Sequence, residues 1–572
     1  MIATAANWYV DDDNQTGTTN GTILEPFSSI QIAIDNATSG DSVSVADGSY
    51  AENLTIADKA ITLYGAFTGG TSADYASGRG GDFVNRFVGN NSSSIIGQAS
   101  AATILIQGES SGTSIDGFTI TGGHHGIELP DWPINSNLNI TNNRIQGNGL
   151  DDPAPELGGG ILLYETNHTN VESNLIMNNR AGRGAGIAGG GSDLSLIGNR
   201  IIENEGVSDH GGGAYLWGTG VISNNHIAEN RVGEELGYGW GGGLIIFGGE
   251  TEMTISGNRF TGNMAPSAGA GVFIDDGATV HFDHNLVYRN QTSDWLGGAA
   301  FYVDCLDEHL RSRAFVSHST FVRNGDLTQA ESNAIVVECS DLEIENSILW
   351  GHAGNAFFVD GTSNLRVNHS LIQSGWSELL PDDQGGYVTH PEAWPGDHNL
   401  IDIDPLFANL DQDDFHLRSA AGRWHAMTSQ WVTDSDTSPA IDAANPASPY
   451  ANEPLPSGGR ANLGAYGNSL EASLSTGDEY DVCEPGLLQF ESPDVFGVQV
   501  IRSESEIITL GSVTLHPGSS VLFQAAQRIR FGQGFQAQAG ARFQAVIQET
   551  TCPSNRLRAG PQSNGYGSAR PV

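Results

Sequence analysis

The sequence predicts an all-β protein, a right-handed parallel β-helix, because two short phrases recur along the chain. The first phrase begins and ends on a polar residue that is usually Asn, as in Asn199-Arg-Ile-Ile-Glu-Asn204. Its copies recur roughly every 23 to 34 residues, which fits one coil of a β-solenoid with insertions in the loops. The copies begin at Asn143, Asn174, Asn199, Asn225, Asn258, Asn285, Ser319, Ser347 and Ser370.

The second phrase is a Gly-rich stretch that leads into a short apolar run, as at Gly158, Gly211 and Gly241. Short alternating strands place one face inward, and Gly tolerates the positive φ of a sharp corner. The Asn residues of the first phrase would then occupy equivalent turns, where their amides can hydrogen-bond along the axis as a ladder. We therefore interpret them as structural, with a role in ligand binding as the alternative.

Length and composition agree with a solenoid. The chain has 572 residues, of which 75 are Gly, and 38% of the residues are hydrophobic. One globular core of this length would normally divide into domains, whereas each coil of a solenoid packs only on its neighbours. The formal net charge of −43 would repel a phosphate backbone, so nucleic acid is excluded as a partner. No apolar run is long enough to span a membrane.

The two ends of the chain differ in character from the repeats. The helical spacing of Ile30, Ala33 and Ile34 after a Ser N-cap predicts a short helix over residues 28–37. Such a helix would cover the open strand edges of the first coil. We assign residues 1–475 to the β-helix, 481–553 to a small C-terminal β module, and 554–572 to a disordered tail.

Cysteine usage and the N-terminus predict secretion. The even number and wide spacing of Cys305, Cys339, Cys483 and Cys552 favour two disulfides and an oxidising compartment, and four buried thiols are the alternative. We interpret the N-terminal segment as a mature start with an added Met, from which a signal peptide has been removed. The predicted location is extracellular or on a bacterial cell surface.

Several segments outside the repeats indicate a family. Trp8-Tyr-Val-Asp-Asp-Asp13, Gly40-Asp-Ser-Val-Ser-Val-Ala-Asp-Gly-Ser-Tyr50 and Asn462-Leu-Gly-Ala-Tyr-Gly467 resemble segments of secreted bacterial pectate-lyase-like β-helix proteins. The repeats are also similar to those of polymorphic outer-membrane adhesins, and residues 481–553 resemble a stacked-strand module found at the C-termini of secreted bacterial proteins. The resemblance implies the fold. It leaves the activity open, because proteins with this fold include lyases, hydrolases, epimerases and adhesins.

Aligning the coils on the Gly-rich phrase places chemically useful residues in columns. The position before the phrase holds Arg183, His210 and Trp240, with Asp209 beside them, and stacked coils would bring these within about 10 Å of each other. We take Asp209, His210 and Arg183 as catalytic candidates, with solvated loop residues as the alternative. The candidates for substrate binding are Tyr164, Glu165, Trp217 and Trp240, and burial in the core is the alternative for Trp217.

The one metal prediction concerns calcium. Asp11, Asp13 and Asn14 offer oxygen ligands in a loop that also contains Gly17, and Ca²⁺ prefers such ligands. An acidic surface turn is the alternative.

Three functions remain open from the sequence. The first is a non-catalytic extracellular protein that binds a polysaccharide or cell-surface glycan, or mediates adhesion. The second is a polysaccharide lyase or glycoside hydrolase that acts in a groove along the helix. The third is a structural filament subunit. The sequence leaves the oligomeric state open.

Overall fold

The protein is described here as a computed structural model, and its described residues fall into nineteen segments. These are residues 5–130, 135–151, 153–233, 237–293, 297–305, 309–325, 333–352, 354–373, 380–381, 387–388, 398–454, 456–475, 480–484, 486–491, 494–495, 498–515, 520–538, 541–548 and 568–571. The predicted fold class is confirmed: the chain is an all-β parallel β-helix with a short N-terminal helix and a small C-terminal β module.

The largest sheet has 24 strands, arranged in two columns. Three long strands each belong to both columns and so join them: Ile161–Asn167, Ile187–Ile197 and Ala214–Ser223. Its other strands are Asn7–Val10, Ser42–Ala46, Leu54–Ala57, Thr62–Gly69, Asp82–Arg86, Ile104–Gln107, Ser114–Asp116, Ile127–Leu129, Asn135–Ser136, Asn139–Thr141, Asn170–Glu172, Leu244–Phe247, Glu252–Ser256, Val272–Asp275, Thr279–Asp283, Phe301–Val303, Arg313–Ser317, Ile335–Val337, Asp341–Glu345, Phe357–Val359 and Asn364–Asn368.

Two further parallel sheets complete the coils. The 13-stranded sheet contains Gly48–Tyr50, Ser93–Ile96, Phe118–Thr121, Arg144–Gln146, Leu175–Met177, Arg200–Ile202, His226–Ala228, Arg259–Thr261, Leu286–Tyr288, Thr320–Val322, Ile348–Trp350, Leu371–Ile372 and Leu400–Ile401. The five-stranded sheet contains Arg180–Ala181, Glu205–Gly206, Arg231–Val232, Met264–Ala265 and Gln291–Thr292.

One continuous core runs inside the coils, because alternate strand residues turn inward. In Glu252–Ser256, for example, Met253 and Ile255 are fully buried while Glu252 and Thr254 are exposed. Aromatic side chains enter this core in the second half of the helix, where Phe260 stacks on Phe282 and Phe282 meets Phe301 edge to face. Each coil therefore buries its inner face against the coils above and below it.

The predicted asparagine ladders are confirmed, and there are two of them. In one ladder, Nδ2 of Asn204 donates to Oδ1 of Asn230 at 3.0 Å, and Oδ1 of Asn204 accepts from Asn179. These residues are almost completely buried. The ladders satisfy backbone groups at the turns, because each Nδ2 also donates to a carbonyl of a preceding coil, as Asn204 does to Ile176. The ladders run from Asn143 to Asn285 and from Asn148 to Asn324.

The N-terminal helix α1 spans Ile30–Asn36 and follows the Ser29 N-cap. Its buried face consists of Ile30, Ala33 and Ile34, the residues whose spacing predicts it. They join the main core next to Val10 and Leu54. A second short helix, α2 (Ser72–Ala76), lies in an insertion between coils. The short 3₁₀ helices are Val88–Asn90 and Leu410–Gln412.

After the last strand of the 13-stranded sheet, residues 402–454 and 456–475 fold back onto the outer face of that sheet. Phe407, Phe415 and Leu463 pack there against Leu286 and Tyr288 in a second hydrophobic cluster. Two ion pairs also join this segment to the coils: Arg289 with Asp413 at 2.7 Å and Arg323 with Asp411 at 3.0 Å. The hairpins in and before this region are Leu380–Pro381 with Tyr387–Val388, Phe407–Asn409 with Asp414–Leu417, and Arg423–His425 with Gln430–Val432.

The C-terminal module is itself a small stack of parallel strands in three sheets, with its own core around Phe490, Ile507 and Phe523. Four residues of the predicted disordered tail, Ser568–Pro571, form a strand antiparallel to Leu488–Glu491; the rest of that tail lies outside the described residues. The other strands are Tyr480–Glu484, Asp494–Val495, Val498–Ser503, Glu506–Thr509, Val513–Leu515, Ser520–Ala525, Arg528–Arg530, Phe535–Ala537 and Arg542–Ile547.

The structure contains a disulfide between Cys305 and Cys339, which joins neighbouring coils across 34 residues of sequence. Cys552 and the side chain of Cys483 lie outside the described part of the chain, so the second predicted disulfide stays a prediction.

Candidate functional site

An outward-facing column of side chains runs along the largest sheet at the position that follows each buried apolar run. The strand register places Trp217 beside Phe247, and Phe247 beside Asp275. Gly190 occupies the same position one coil before Trp217. We call this set the outer column. Its members are Tyr164, Gly190, Trp217, Phe247, Asp275, Asp304, Glu338 and Asp360.

The first half of the outer column is aromatic. The rings of Tyr164 and Trp217 meet edge to face with centroids 6.0 Å apart, and Trp217 lies 5.6 Å from Phe247. Gly190 makes room for the indole, since a Cβ there would lie 2.7 Å from Cγ of Trp217. Tyr215, which lies in the neighbouring column, stacks on Phe247 with ring centroids 4.3 Å apart. Trp217 faces outward, because Leu216 before it is the residue that enters the core.

The second half of the outer column is acidic, and we call it the acid row. It consists of Asp275, Asp304, Glu338 and Asp360 on consecutive coils, which stack about 4.8 Å apart. Burial, reinforced by the neighbouring carboxylates, raises the pKa of Asp304 to about 7. Burial also raises the pKa of Asp275 and of Glu338, although the Tyr302 hydroxyl donates to Glu338. Neighbouring carboxylates oppose each other's ionisation, so Asp304 is partly protonated near neutral pH.

The disulfide supports the acid row directly. Asp304 precedes Cys305 and Glu338 precedes Cys339, so the bond joins the two coils that present the central carboxyls. The Asp304 carboxylate also accepts from the backbone N–H of Cys305 at 2.7 Å. The spacing of these two carboxyls is therefore covalently fixed.

The three predicted catalytic residues converge beside the aromatic half of the column. Nε of Arg183 donates to Oδ1 of Asp209 at 3.0 Å, and Nδ1 of His210 lies 2.9 Å from the same oxygen. The ring of His210 stacks on Trp240 with centroids 5.2 Å apart, and its edge meets Tyr215. All three side chains are partly exposed. The predicted stack of Arg183, His210 and Trp240 is thus present.

The electrostatics of this group favour binding over base catalysis. Burial alone would lower the pKa of Arg183, but the hydrogen bond and charge of Asp209 outweigh it and raise that pKa. Burial likewise opposes ionisation of Asp209, yet its contacts with His210 and Arg183 lower its pKa overall. Asp209 therefore stays ionised and Arg183 stays protonated at neutral pH. A lyase base must be able to accept a proton, which Arg183 in this pair does poorly.

The remaining predicted binding residues differ in accessibility. Tyr164 is 41% exposed and Glu165, which follows it, is exposed too. Trp240 is half-buried between His210 and Tyr238.

The predicted calcium ligands are largely occupied by internal donors. Asp11 is buried, and its carboxylate accepts hydrogen bonds from Gly70, Asp13 and the Tyr75 hydroxyl. The amide of Asn14 donates to the carbonyl of Pro26 at 2.7 Å. Asp13 lies in the same loop with its carboxylate exposed. Internal hydrogen bonds therefore account for Asp11 and Asn14, which are buried rather than part of a surface turn, and calcium binding stays a prediction.

Sequence alignment of the coils missed most of the acid row. It placed Asp275 in the correct column but set Asp304 one position later, and it did not include Glu338 or Asp360. The cause is a shift of one residue: Gly297, rather than the residue before it, lies in register with Ala268. An apolar run that ends in an acid at Asp275, Asp304, Glu338 and Asp360 was the available signal.

Sequence comparison defines the class of protein. The model of the right-handed β-helix region matches residues 27–201 and 197–326, which is more than half of the chain, so the chain belongs to the right-handed β-helix family. A second model, described as disaggregatase related, matches residues 267–444, the segment that contains the acid row.

Individual relatives are distant. A curated protein from Bordetella avium (strain 197N), described as a probable transcriptional regulatory protein, is 28% identical over 119 residues, and the match spans 20% of this chain and 44% of that protein. Pectate lyase Pel9A is 12% identical with a TM-score of 0.38, covering 81% of this chain and 96% of that one. An alginate lyase from Paenibacillus sp. str. FPU-7 is 15% identical with a TM-score of 0.28, covering 59% and 96%. Such identities concern the fold alone.

No helix among the described residues is long and apolar enough to cross a membrane.

Proposed function

We propose that this protein binds a polysaccharide outside the cell, along the outer column and the adjoining group of Arg183, Asp209, His210 and Trp240. The observation that carries the proposal is the continuous run of partly exposed aromatic rings, ending in carboxyls, on stacked coils of one rigid sheet. Sugar rings stack their apolar faces on aromatic side chains, while a few placed polar groups fix the orientation. A linear glycan lying along the solenoid axis meets one such position per coil.

The charges predict which glycans fit each end. In the acid row, burial and the neighbouring carboxylates raise the pKa of Asp304 to about 7, so its protonated form can donate a hydrogen bond to a hydroxyl or a ring oxygen. Arg183 stays protonated and presents a positive charge beside Asp209, on the coil before His210. A neutral glycan, or one with sparse carboxylates near Arg183, is therefore favoured over a densely anionic polymer, which the net charge of −43 repels.

An extracellular location agrees with this proposal. The Cys305–Cys339 disulfide is the kind of bond that persists in oxidising compartments. Attachment to a cell surface or matrix, with adhesion through the bound glycan, is the corresponding biological role.

A second candidate function is glycoside hydrolysis, and the protonation of Asp304 favours it. A carboxyl that keeps its proton near pH 7 is suited to protonate a leaving-group oxygen, while a flanking carboxylate acts as base or nucleophile. Asp275 and Glu338 flank Asp304 on either side of the row. In this scheme Asp304 is the general acid, and the aromatic half of the column holds the sugars next to the cleavage point.

The binding experiment measures retention of the purified chain on a panel of neutral and uronic-acid polysaccharides by affinity electrophoresis. We expect at least one glycan to retard the protein, and Trp217→Ala and Tyr164→Ala to weaken that retention about tenfold, the loss of one stacked ring. Phe315→Ala is the matched control, because Phe315 is similarly exposed at 39% on a strand of the same sheet but lies outside the outer column. Equal retention of all three variants would place the glycan elsewhere.

The hydrolysis experiment follows reducing ends and unsaturated products with the glycan that binds. Release of reducing ends that stops in Asp304→Asn, with binding retained, would establish the hydrolase. Unsaturated product would instead indicate a lyase and contradict the role given to Asp304. Binding without release of any product would support the first proposal, a polysaccharide-binding protein without catalytic activity.

A further inference from the structure

A cluster of metal-ligating side chains lies outside the outer column, at the turn between the largest sheet and the 13-stranded sheet. Asp283 ends one strand of the largest sheet, His284 follows it in the turn, and His318 occupies the equivalent position of the next coil. One potential ligand atom from each lies within 4.8 Å of the other two. Among the described residues, these three form the one such group of His, Cys, Asp or Glu.

The hydrogen bonds of His284 fix which of its nitrogens is free. Nε2 lies 2.7 Å from the carbonyl oxygen of Gly467, which can only accept, so Nε2 carries a hydrogen. In the neutral ring Nδ1 then presents a lone pair, and it lies 2.6 Å from Oδ2 of Asp283, another acceptor. Two acceptors this close require a cation, either a proton on Nδ1 or a metal ion that draws on both.

His318 supplies a second, independent observation. It is 6% exposed, its Nε2 is buried without a hydrogen-bond partner, and its Nδ1 stands 3.9 Å from Oδ1 of Asp283, beyond hydrogen-bond distance. Its ring lies nearly parallel to that of His284, with centroids 4.9 Å apart. Neither ring nitrogen of His318 therefore has a hydrogen-bond partner, which is costly for a buried imidazole. A metal bond to Nδ1, the nitrogen nearer Asp283, would supply one of the two missing interactions.

The surroundings have the form of a second coordination shell. Metal-bound histidines usually donate their other ring N–H to a backbone carbonyl or a carboxylate, which orients the ring. His284 does so to Gly467, and the Ser317 hydroxyl donates to Oδ1 of Asp283. Asp283 is 41% exposed, so an ion has a route from solvent.

We propose that Asp283, His284 and His318 bind a divalent transition-metal ion of the zinc class. Zn²⁺ accepts three protein ligands of the His and carboxylate types and leaves a fourth position for water. Bonds of about 2.0–2.1 Å place such ligand atoms roughly 3.4 Å apart. An imidazole nitrogen binds a metal in the plane of its ring, so ion binding turns the two stacked rings toward each other and draws in the partly exposed Asp283. Ca²⁺ and Mg²⁺ are disfavoured, because they take oxygen ligands.

The bound ion links three separate parts of the chain. His284 and His318 belong to adjacent coils, and Gly467 belongs to the segment that folds back over the 13-stranded sheet. The ion therefore joins the two coils directly, and it holds the ring of His284 in the orientation that donates to Gly467 of that segment. This role is independent of the glycan-binding proposal.

The test uses the full untagged chain, freed of metal with a chelator, and titrates it with ZnCl₂ and separately with CoCl₂. We expect one tight Zn²⁺ per chain, and strong visible absorption of the Co²⁺ form that indicates fewer than six ligands. His284→Asn and His318→Asn should each weaken Zn²⁺ binding at least tenfold. Asn suits this turn, because Asn142, Asn224 and Asn346 adopt the same positive φ at equivalent positions of other coils.

His168→Asn is the matched control, since His168 also has positive φ and lies 3.0 Å from one carboxylate, Asp193, without a second histidine. It should leave Zn²⁺ binding unchanged. Equal Zn²⁺ affinity of the native chain and both site variants would overturn the proposal, and so would the absence of binding at micromolar Zn²⁺, which would assign the cation between Asp283 and His284 to a proton.

Circular dichroism in the presence of chelator checks that each variant is folded. Should a variant fail to fold, crystals of the native chain grown with ZnCl₂ decide the matter through anomalous scattering at the zinc edge. A peak bonded to both histidines supports the site, and a peak elsewhere, or none, refutes it.

Discussion

At the scale of single residues, the most unusual buried group outside the two sites is Glu453. It is 6% exposed, and burial raises its pKa to about 8, although the backbone N–H groups of Asn462 and Asn468 donate to it. Its second oxygen is buried without a partner. Glu453 is therefore neutral in the folded protein at pH 7 and ionised in the unfolded chain.

This raised pKa predicts that stability falls as the pH rises. Protonation of Glu453 favours the folded state fully below its unfolded pKa of about 4.5, and that contribution is lost as the pH approaches 8. The Gln side chain in Glu453→Gln stays neutral at every pH. The free energy of unfolding of this variant, relative to that of the native chain, should therefore rise between pH 4 and pH 9 by at most about 5 kcal/mol. Urea unfolding at both pH values measures the difference, and Glu343→Gln, at an exposed strand position, is the control. A gain that does not depend on pH would contradict the assignment.

At the scale of elements, the asparagine ladders account for the regular stacking of coils. Replacing Asn204 with Ala would leave the N–H of Asn179 buried without its side-chain acceptor and would remove one hydrogen bond from the carbonyl of Ile176. The unpaired N–H costs about 1–3 kcal/mol and the lost bond about 0.5–1.5 kcal/mol, so we expect a loss of about 2–4 kcal/mol in the free energy of unfolding. Asn170→Ala, on a partly exposed strand position, should change it by less than about 0.5 kcal/mol. Equal effects in denaturant titrations would show that the ladder is dispensable.

The outer column depends on a glycine. A Cβ at Gly190 would lie 2.2 Å from the carbonyl oxygen of Trp217 and 2.7 Å from two atoms of its ring, so neither the strand nor the indole can stay in place. Gly190→Ala should therefore weaken glycan retention as much as Trp217→Ala does and destabilise the coil by about 1–3 kcal/mol. Gly361→Ala, where a Cβ meets open space, is the control. Unchanged tryptophan fluorescence and retention in Gly190→Ala would argue against the glycan site.

At the scale of the whole molecule, the sequence predicts the features that recur with a regular period, and it does not predict the features whose spacing changes from coil to coil. The turn Asn residues and Ile30, Ala33 and Ile34 of α1 were predictable, because each follows from local periodicity. The acid row was not, because a one-residue shift at Gly297 moves every later side chain of that coil by one position. The pairing of His284 with Gly467 was also out of reach, since a fold-back over 183 residues leaves no periodic signal.

A solenoid is also stabilised coil by coil, because each repeat contacts only its neighbours. The Cys305–Cys339 bond closes a loop of 34 residues, and the chain-entropy relation gives it about 3–4 kcal/mol. That contribution acts locally, on the coils that carry Asp304 and Glu338. Cys305→Ser with Cys339→Ser should therefore loosen these coils while the coils before Asn258 keep their stability.

Hydrogen exchange followed by mass spectrometry distinguishes local from global loosening. We expect faster exchange in the strands Phe301–Val303 and Ile335–Val337 and unchanged exchange in Ile187–Ile197. Because the acid row spans the loosened coils, hydrolysis or glycan contacts that need Asp304 should weaken with them, while contacts of Tyr164 and Trp217 persist. Uniformly faster exchange along the chain would mean that the β-helix unfolds as one cooperative unit, and the bond would then stabilise the whole molecule rather than the acid row alone.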